Sequence, residues 1–322
     1  MDVFRFITIA VAFVLSVILC KILIPILVKF KFGQQVRQEG NRDHLKKQGT
    51  PTMGGIAFLL AILIAGLAFC LIFKEDPAIY VPVLLMTFIY GVIGFLDDFL
   101  KIKKKQSEGL KAWQKLLLQF LATGGFAFYC CFSPKIGSTV VLPFTGGKTW
   151  DMGWLYIPFV FLAVLGTDNG TNFTDGLDGL LASVTVVVSL FLMVVSGKSS
   201  GAVSIISGAV AGALMGYLLF NSHPAKVFMG DTGSLGIGAY VASAALVTKN
   251  GWFILIFGLI YLIEVLSVIL QVSYFKLTHG KRIFLMSPIH HHYEKKGYSE
   301  TQIVTGFTIF TIFMCMVAYL AM

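Results

Sequence analysis

Charge is what this chain has least of. Only 13% of its 322 residues are Asp, Glu, Lys or Arg, while 57% are hydrophobic. A soluble domain carries about 25% charged residues, so the shortage excludes an ordinary water-soluble fold and leaves a polytopic membrane protein. Cysteine is scarce as well. The five (Cys20, Cys70, Cys130, Cys131, Cys315) lie in or beside apolar runs without disulfide or zinc spacing, and they read as small hydrophobes. No small-residue cleavage site follows the first apolar run, which reads as a retained span and not a removed leader. A nucleotide-hydrolysis motif is also missing. Gly147-Lys148-Thr149 imitates the end of a phosphate-binding loop, but Leu142 stands where the first glycine belongs. With no low-complexity tract or long-period repeat, residues 1–322 are expected to form a single transmembrane domain.

What the chain has in abundance is long apolar runs. About 17 to 25 mainly apolar residues cross about 30 Å of hydrocarbon. Ten such runs fall near 4–30, 53–73, 79–100, 113–132, 154–171, 177–196, 202–220, 232–248, 252–275 and 301–321. The expected fold is therefore all-α with about ten transmembrane helices. Basic residues sort between the two faces, eighteen after odd-numbered spans against six on the other side, with Lys21 inside the first span. The richer face is the cytoplasmic one, and an even count then puts both termini outside. The net charge of +9 belongs to this asymmetry and not to nucleic-acid binding. Outside, Ser138 to Phe144 alternates weakly and Thr145-Gly146-Gly147 can turn, which predicts a small hairpin. Gly208, Gly212 and Gly216 recur every four residues, a smooth helix face for close packing.

Five polar clusters follow odd-numbered spans and so share the cytoplasmic face. At their centre stands Asn172-Phe173-Thr174-Asp175-Gly176-Leu177-Asp178-Gly179. Thr174 or Asp175 can cap a helix starting at Leu177, with Asp178 as reciprocal cap. Alternatively the glycines let backbone approach a phosphate or nucleotide while the carboxylates bind a cation or sugar hydroxyls. Asp97-Asp98 ends the third span; neighbours on a helix point about 100° apart, so the two have different roles or simply pair with nearby lysines. Asp231, in Gly230-Asp231-Thr232-Gly233-Ser234, either caps the eighth span or shares a Mg²⁺ with a phosphate. Lys111 and Lys115, four apart, serve as orientation signals or as phosphate neutralisers. His290, His291 and His292 read as an extended loop in which at most the first and third point together. Solvation, hydrogen bonding to phosphate or sugar, and a structural zinc are the readings open to them. Glu264 and Lys21 lie deep in spans, away from these clusters, and suit hydrogen bonding or mutual neutralisation in the bundle. Gln271, nearer the cytoplasmic end, suits the site better.

Five motifs in order then resemble the phospho-N-acetylmuramoyl-pentapeptide-transferases, the MraY family of polyprenyl-phosphate sugar-1-phosphate transferases. They are Gly49-Thr50-Pro51-Thr52-Met53-Gly54-Gly55, Gly94-Phe95-Leu96-Asp97-Asp98-Phe99, Asn172–Gly179, Phe228–Ser234 and Pro288-Ile289-His290-His291-His292-Tyr293-Glu294. The resemblance implies a multi-pass enzyme of the bacterial plasma membrane with its active face cytoplasmic. It implies transfer of phospho-N-acetylmuramoyl-pentapeptide from the UDP-linked donor to undecaprenyl phosphate, giving lipid I and UMP, with Mg²⁺ as cofactor. The bilayer is the remaining partner, and a homodimer is among the assemblies left open. By the same resemblance Asp231 is the metal ligand, and Asp97 or Asp98 deprotonates the lipid phosphate or attacks, with Asp97 favoured as base. Lys115 lies at the phosphates. Lys47, Thr52, Asn172, Asp175, Gly176, Asp178, Asn221, Phe228, Gly230, Ser234 and Gln271 surround nucleotide and sugar, with Phe228 suited to stack on uracil. The three histidines meet phosphate or sugar. One departure is visible: Thr167-Asp168-Asn169-Gly170-Thr171 is more polar than the family's usual stretch. A hexosamine-1-phosphate transferase and an ion-coupled transporter are the competing readings. The transporter is disfavoured because its site would lie near the membrane midplane.

Overall fold

The computed structural model describes residues 3–30, 49–104, 106, 108–197 and 199–322. A long helix stands at each apolar run: α1 (Val3–Lys29), α2 (Gly55–Ile72), α3 (Pro77–Lys104), α4 (Ala112–Phe132), α5 (Tyr156–Thr174), α6 (Leu180–Ser196), α7 (Gly201–Asn221), α8 (Gly230–Val247) and α9 (Leu259–Leu277). A short α10 (Ile289–Lys295) and a long α11 (Glu300–Leu320) complete the chain. Among the described residues, seven helices are long and apolar enough to cross a membrane: α1, α2, α3, α4, α7, α9 and α11. The shorter α6 is also apolar. β1 (Thr139–Val141) pairs antiparallel with β2 (Thr149–Asp151), Val140 opposite Trp150, the small hairpin that the alternation predicts.

The two polar helices owe their composition to where they sit. α5 ends in the polar stretch from Thr167 to Thr174, and α8 opens on Gly230-Asp231-Thr232-Gly233-Ser234. From Thr232 to Val247 every residue of α8 is buried. Enclosed on all sides, it is packed by protein and not by lipid, so its surface can consist of Gly, Ala and Ser. Helices α2, α3 and α5 close around it. The outer helices carry the bilayer's share of apolar surface, with Leu121 on α4 and Leu162 on α5 among many exposed large hydrophobics. Gly212 and Gly216 do what their spacing predicts: side chains there would strike the carbonyls of Ile9 and Phe13 on α1.

The closest approach is between α3 and α8. A Cβ at Gly94 would lie 2.0 Å from the Asp231 carbonyl oxygen, so these helices touch backbone to backbone beside the aspartates. One boundary departs from expectation. The sequence predicts a helix from Leu177 capped by Thr174 or Asp175, but α5 continues through Asn172 to Thr174, whose hydroxyl donates to the Gly170 carbonyl at 2.7 Å. α6 starts only after Gly179, which takes the left-handed φ of 77° with no side-chain cap. A glycine allows this turn at no steric cost. Neither the Asp175 nor the Asp178 side chain caps the start of α6.

Gly94→Ala should force α3 from α8, cost about 1–3 kcal/mol and lower the thermal midpoint in detergent. Gly125→Ala on α4, where nothing lies within 4 Å of the new methyl, should leave the midpoint unchanged or raised.

Candidate active site

The ends of α3, α4, α5 and α8 meet at a cluster of charge. α3 supplies Asp97, Asp98 and Lys101. Side chains three and four apart on a helix are neighbours, so Lys101 Nζ folds back to Asp97 Oδ2 (2.6 Å) and lies 3.8 Å from Asp98 Oδ1. Asp98 is used up on the start of α8. Its Oδ1 accepts the Asp231 N–H at 3.2 Å, and its Oδ2 accepts the Thr232 N–H at 2.9 Å and the Thr232 hydroxyl at 2.7 Å. Those are amides a helix N-terminus leaves without partners. Asp97 Oδ1 accepts the Leu110 N–H at 2.8 Å.

Asp231 lies between two ammonium groups. Its Oδ2 is 3.0 Å from Lys101 Nζ and 3.0 Å from Lys115 Nζ of α4. Its Oδ1 accepts from Asn172 Nδ2 at 2.9 Å, and the same amide nitrogen reaches Ser234 Oγ at 2.9 Å. Thr52 Oγ1 lies against Gly230, beside Asp98. Asp97 and Asp98 are each 3% exposed, and buried charges persist only when paired and hydrogen-bonded. Three carboxyl groups face two ammonium groups in this cluster. Oxygens of Asp97, Asp98 and Asp231 lie within 4.8 Å of one another, an all-oxygen set of the kind that suits a hard divalent cation.

A second cluster lies at the far end of the same turn. Asp178 Oδ2 accepts the Ala225 N–H at 3.0 Å and lies 3.1 Å from His223 Nδ1; the Asp178 N–H donates to Glu300 Oε2 at 3.3 Å. Asn221 bridges two strands of loop, accepting the Gly179 N–H at 3.2 Å and donating to the Val227 carbonyl at 2.9 Å. Pro51 to Gly55 pairs with Phe228 and Met229 through three backbone hydrogen bonds. Half-buried Asp175, between the clusters, is held well above the usual carboxylate range, first by desolvation and then by Asp231, Asp98 and Asp178.

A family model described as glycosyl transferase family 4 matches residues 80–249, and phospho-N-acetylmuramoyl-pentapeptide-transferase signature 1 matches residues 47–59. The phospho-N-acetylmuramoyl-pentapeptide-transferase of Clostridium novyi (strain NT) is 46% identical over 317 residues, 98% of this chain and 96% of that protein. That of Clostridium perfringens (strain 13 / Type A) is 47% identical over 313 residues, 97% of this chain and 96% of that protein. That of Caldicellulosiruptor bescii is 46% identical over 319 residues, 99% of this chain and 97% of that protein. The chain belongs to the phospho-N-acetylmuramoyl-pentapeptide-transferase family.

In this family member Asn172, Gly176 and Asp178 place one stretch of chain against three groups: the carboxylates, the histidine segment and the His223 cluster. Lys47 lies outside the described residues. The histidines do not form the extended loop their sequence suggests. They occupy α10, where His290 is buried while His291 and His292 are partly exposed. Glu264, expected to stand apart from the polar clusters, bonds to His290, its Oε1 lying 3.0 Å from His290 Nδ1. Gln271 is engaged with protein: its Oε1 accepts the N–H groups of Ile283 and Phe284, and its Nε2 donates to the Phe284 carbonyl. It therefore clamps the chain leading to α10. Asp168, which makes the end of the fifth span ambiguous in the sequence, is fully buried and accepts from Gln119 Nε2. Lys101, His223, Glu264 and Glu300 are site neighbours that motif reading passes over. Lys101 had a usable signal, its spacing of four from Asp97 and three from Asp98.

Asp98→Ala should leave two amides at the start of α8 without an acceptor, cost about 1–3 kcal/mol and lower the substrate-free thermal midpoint. Asp98→Asn keeps one accepting oxygen and should cost less.

Proposed function

We propose that the chain transfers phospho-N-acetylmuramoyl-pentapeptide from its UDP-linked donor to undecaprenyl phosphate, releasing UMP and forming lipid I in peptidoglycan synthesis. The observation that carries this reading is the Asp97–Asp98–Asp231 cluster with its two lysines, buried at one end of the bundle in a chain of this family. A lipid phosphate oxygen attacks the sugar-bearing phosphorus of the donor. The anhydride bond to UMP breaks, and UMP leaves with the bonding electron pair. One phosphoanhydride replaces another, so positioning and charge neutralisation do most of the catalytic work.

The roles follow from which lone pairs are free. Asp98 is committed to the first amides of α8, which supports Asp97 as the group that takes the proton from the lipid phosphate. Lys101 and Lys115 neutralise the transferring phosphates. Asp231, oriented by Asn172, is the residue that would hold Mg²⁺. Bound there, Mg²⁺ would neutralise charge on the diphosphate. Phe228 would stack on uracil, its backbone fixed through Pro51 and Gly54. Lys47, Thr52, Asp175, Gly176, Asp178, Asn221, Gly230 and Ser234 would complete the nucleotide and sugar surround. Gln271 would act through the loop it clamps. His290, His291 and His292 would meet the phosphates or sugar. The basic asymmetry supports ten spans in the bacterial plasma membrane, termini outside and this site cytoplasmic.

Purified protein given UDP-N-acetylmuramoyl-pentapeptide, undecaprenyl phosphate and Mg²⁺ should release UMP; chelation should stop it and added Mg²⁺ restore it. Release from UDP-N-acetylglucosamine but not from the muramoyl donor would instead assign hexosamine transfer. Asp97→Asn, Asp98→Asn and Asp231→Asn should each lower turnover about a hundredfold or more, and near-normal rates in all three would remove the proposed centre. In intact cells an impermeant maleimide should label Lys148→Cys and leave Lys296→Cys untouched. The reverse pattern would invert the topology.

A further inference from the structure

Of three consecutive histidines, one is built into the protein. α10 turns their side chains about 100° apart. His292 Nδ1 accepts the Leu285 N–H at 3.1 Å, and His291 Nδ1 meets Glu294 one turn along. His290 is 0% exposed, and so is Glu264 behind it. Glu264 holds both the ring and the start of its helix. Oε1 lies 3.0 Å from His290 Nδ1, and Oε2 accepts the Ile289 N–H at 3.0 Å. Two turns further along α9, Gln271 ties down residues 283 and 284. The second ring nitrogen, Nε2, is buried with no hydrogen-bond partner. It faces the central turn, because a Cβ at Gly176 would lie 2.1 Å from it.

An unpaired buried polar atom is costly, and this one is aimed at the turn that also carries Asn172 to Asp231. An ionised carboxylate only accepts hydrogen bonds. Beside Glu264, therefore, Nδ1 carries a proton and Nε2 is the working nitrogen. Phosphate oxygens also accept, so an Nε2 that bonds to a diphosphate must carry the second proton, and the imidazolium so formed has Glu264 as counter-charge. Other ionisable groups on the surrounding elements are His291 and Glu294 on α10, Asp175 and Asp178 on the turn, and Glu300 on α11.

We infer that Glu264 is a positioning residue: it fixes the Nδ1 proton of His290, balances the imidazolium and presents Nε2–H beside Gly176 to the diphosphate of the donor. This rests on the transferase reading above and adds a residue to it. His291 and His292 have other partners on Nδ1, Glu294 and the Leu285 N–H, so neither has Glu264 behind it.

Glu264→Gln is the test. The carboxamide keeps an acceptor for the Ile289 N–H, turns its NH₂ to Nδ1 and removes the counter-charge. In full-length enzyme labelled with ¹⁵N-histidine, wild type should show His290 protonated at Nδ1, and Glu264→Gln should move that proton to Nε2. In UMP release, kcat/KM should fall about 10- to 100-fold, as when the group behind a working histidine is lost, and Glu264→Asp should recover part of it. Glu264→Gln combined with His290→Gln should be no slower than His290→Gln alone. Unchanged nitrogen shifts, a rate within about threefold of wild type, or losses that multiply would each overturn the assignment. The nitrogen spectrum needs no turnover, so it tests Glu264 even if the transferase reading fails.

Discussion

Like charges brought together inside a bundle are the constraint on which everything else here depends. Carboxylate oxygens within 4.8 Å of one another repel by roughly 3 kcal/mol per pair at an effective dielectric near 20. Lys101, Lys115 and the amides opening α8 offset that repulsion only where they stand. Their positions require α3, α4 and α8 to meet end to end, and that meeting requires glycine at position 94. The small residues along α8 and the ions at its tip are thus one arrangement. Widening the helix contact would loosen the charges, and removing a lysine would strain the contact.

The stretch from Asn172 to Gly179 ties this centre to the rest of the pole. Asn172 still belongs to α5 and inherits that helix's rigidity, which holds its amide on Asp231. Gly176 lies under the His290 ring, and Asp178 reaches the loop before α8. Eight residues thereby set the spacing among three groups drawn from α8, α10 and the α7–α8 connection. A turn free of capping duty keeps its carboxylates for other partners, and Asp175 stays crowded by three of its own charge.

Most of the architecture could be read from residue pattern because membrane spans are long and their signal is additive. Nine of the ten apolar runs match a helix to within a few residues, the ninth being broken at Gly258 into a short helix, Ile254–Phe257, and α9, and even the small hairpin shows in its alternation. The finer misreadings have particular causes. Lys101 at the end of a span has the appearance of an orientation signal, which masks its spacing from the two aspartates. Glu264 sits 26 residues from His290, and nothing local links a glutamate in one helix to a histidine beyond the next loop. The histidine helix has seven residues, too few to display a period, and follows a proline that suggests extended chain. Gln271 stands at the right depth, yet its amide is spent on backbone.

The enclosure of α8 bears on how the chain is made. A segment rich in glycine, alanine and serine and opened by an aspartate partitions more weakly into hydrocarbon than the seven long apolar helices. The three helices most closely packed around it, α2, α3 and α5, precede it in the chain. Most of its surroundings have therefore left the ribosome before it appears. The charged cluster is likewise complete only with Asp231, which pairs with lysines synthesised more than a hundred residues earlier.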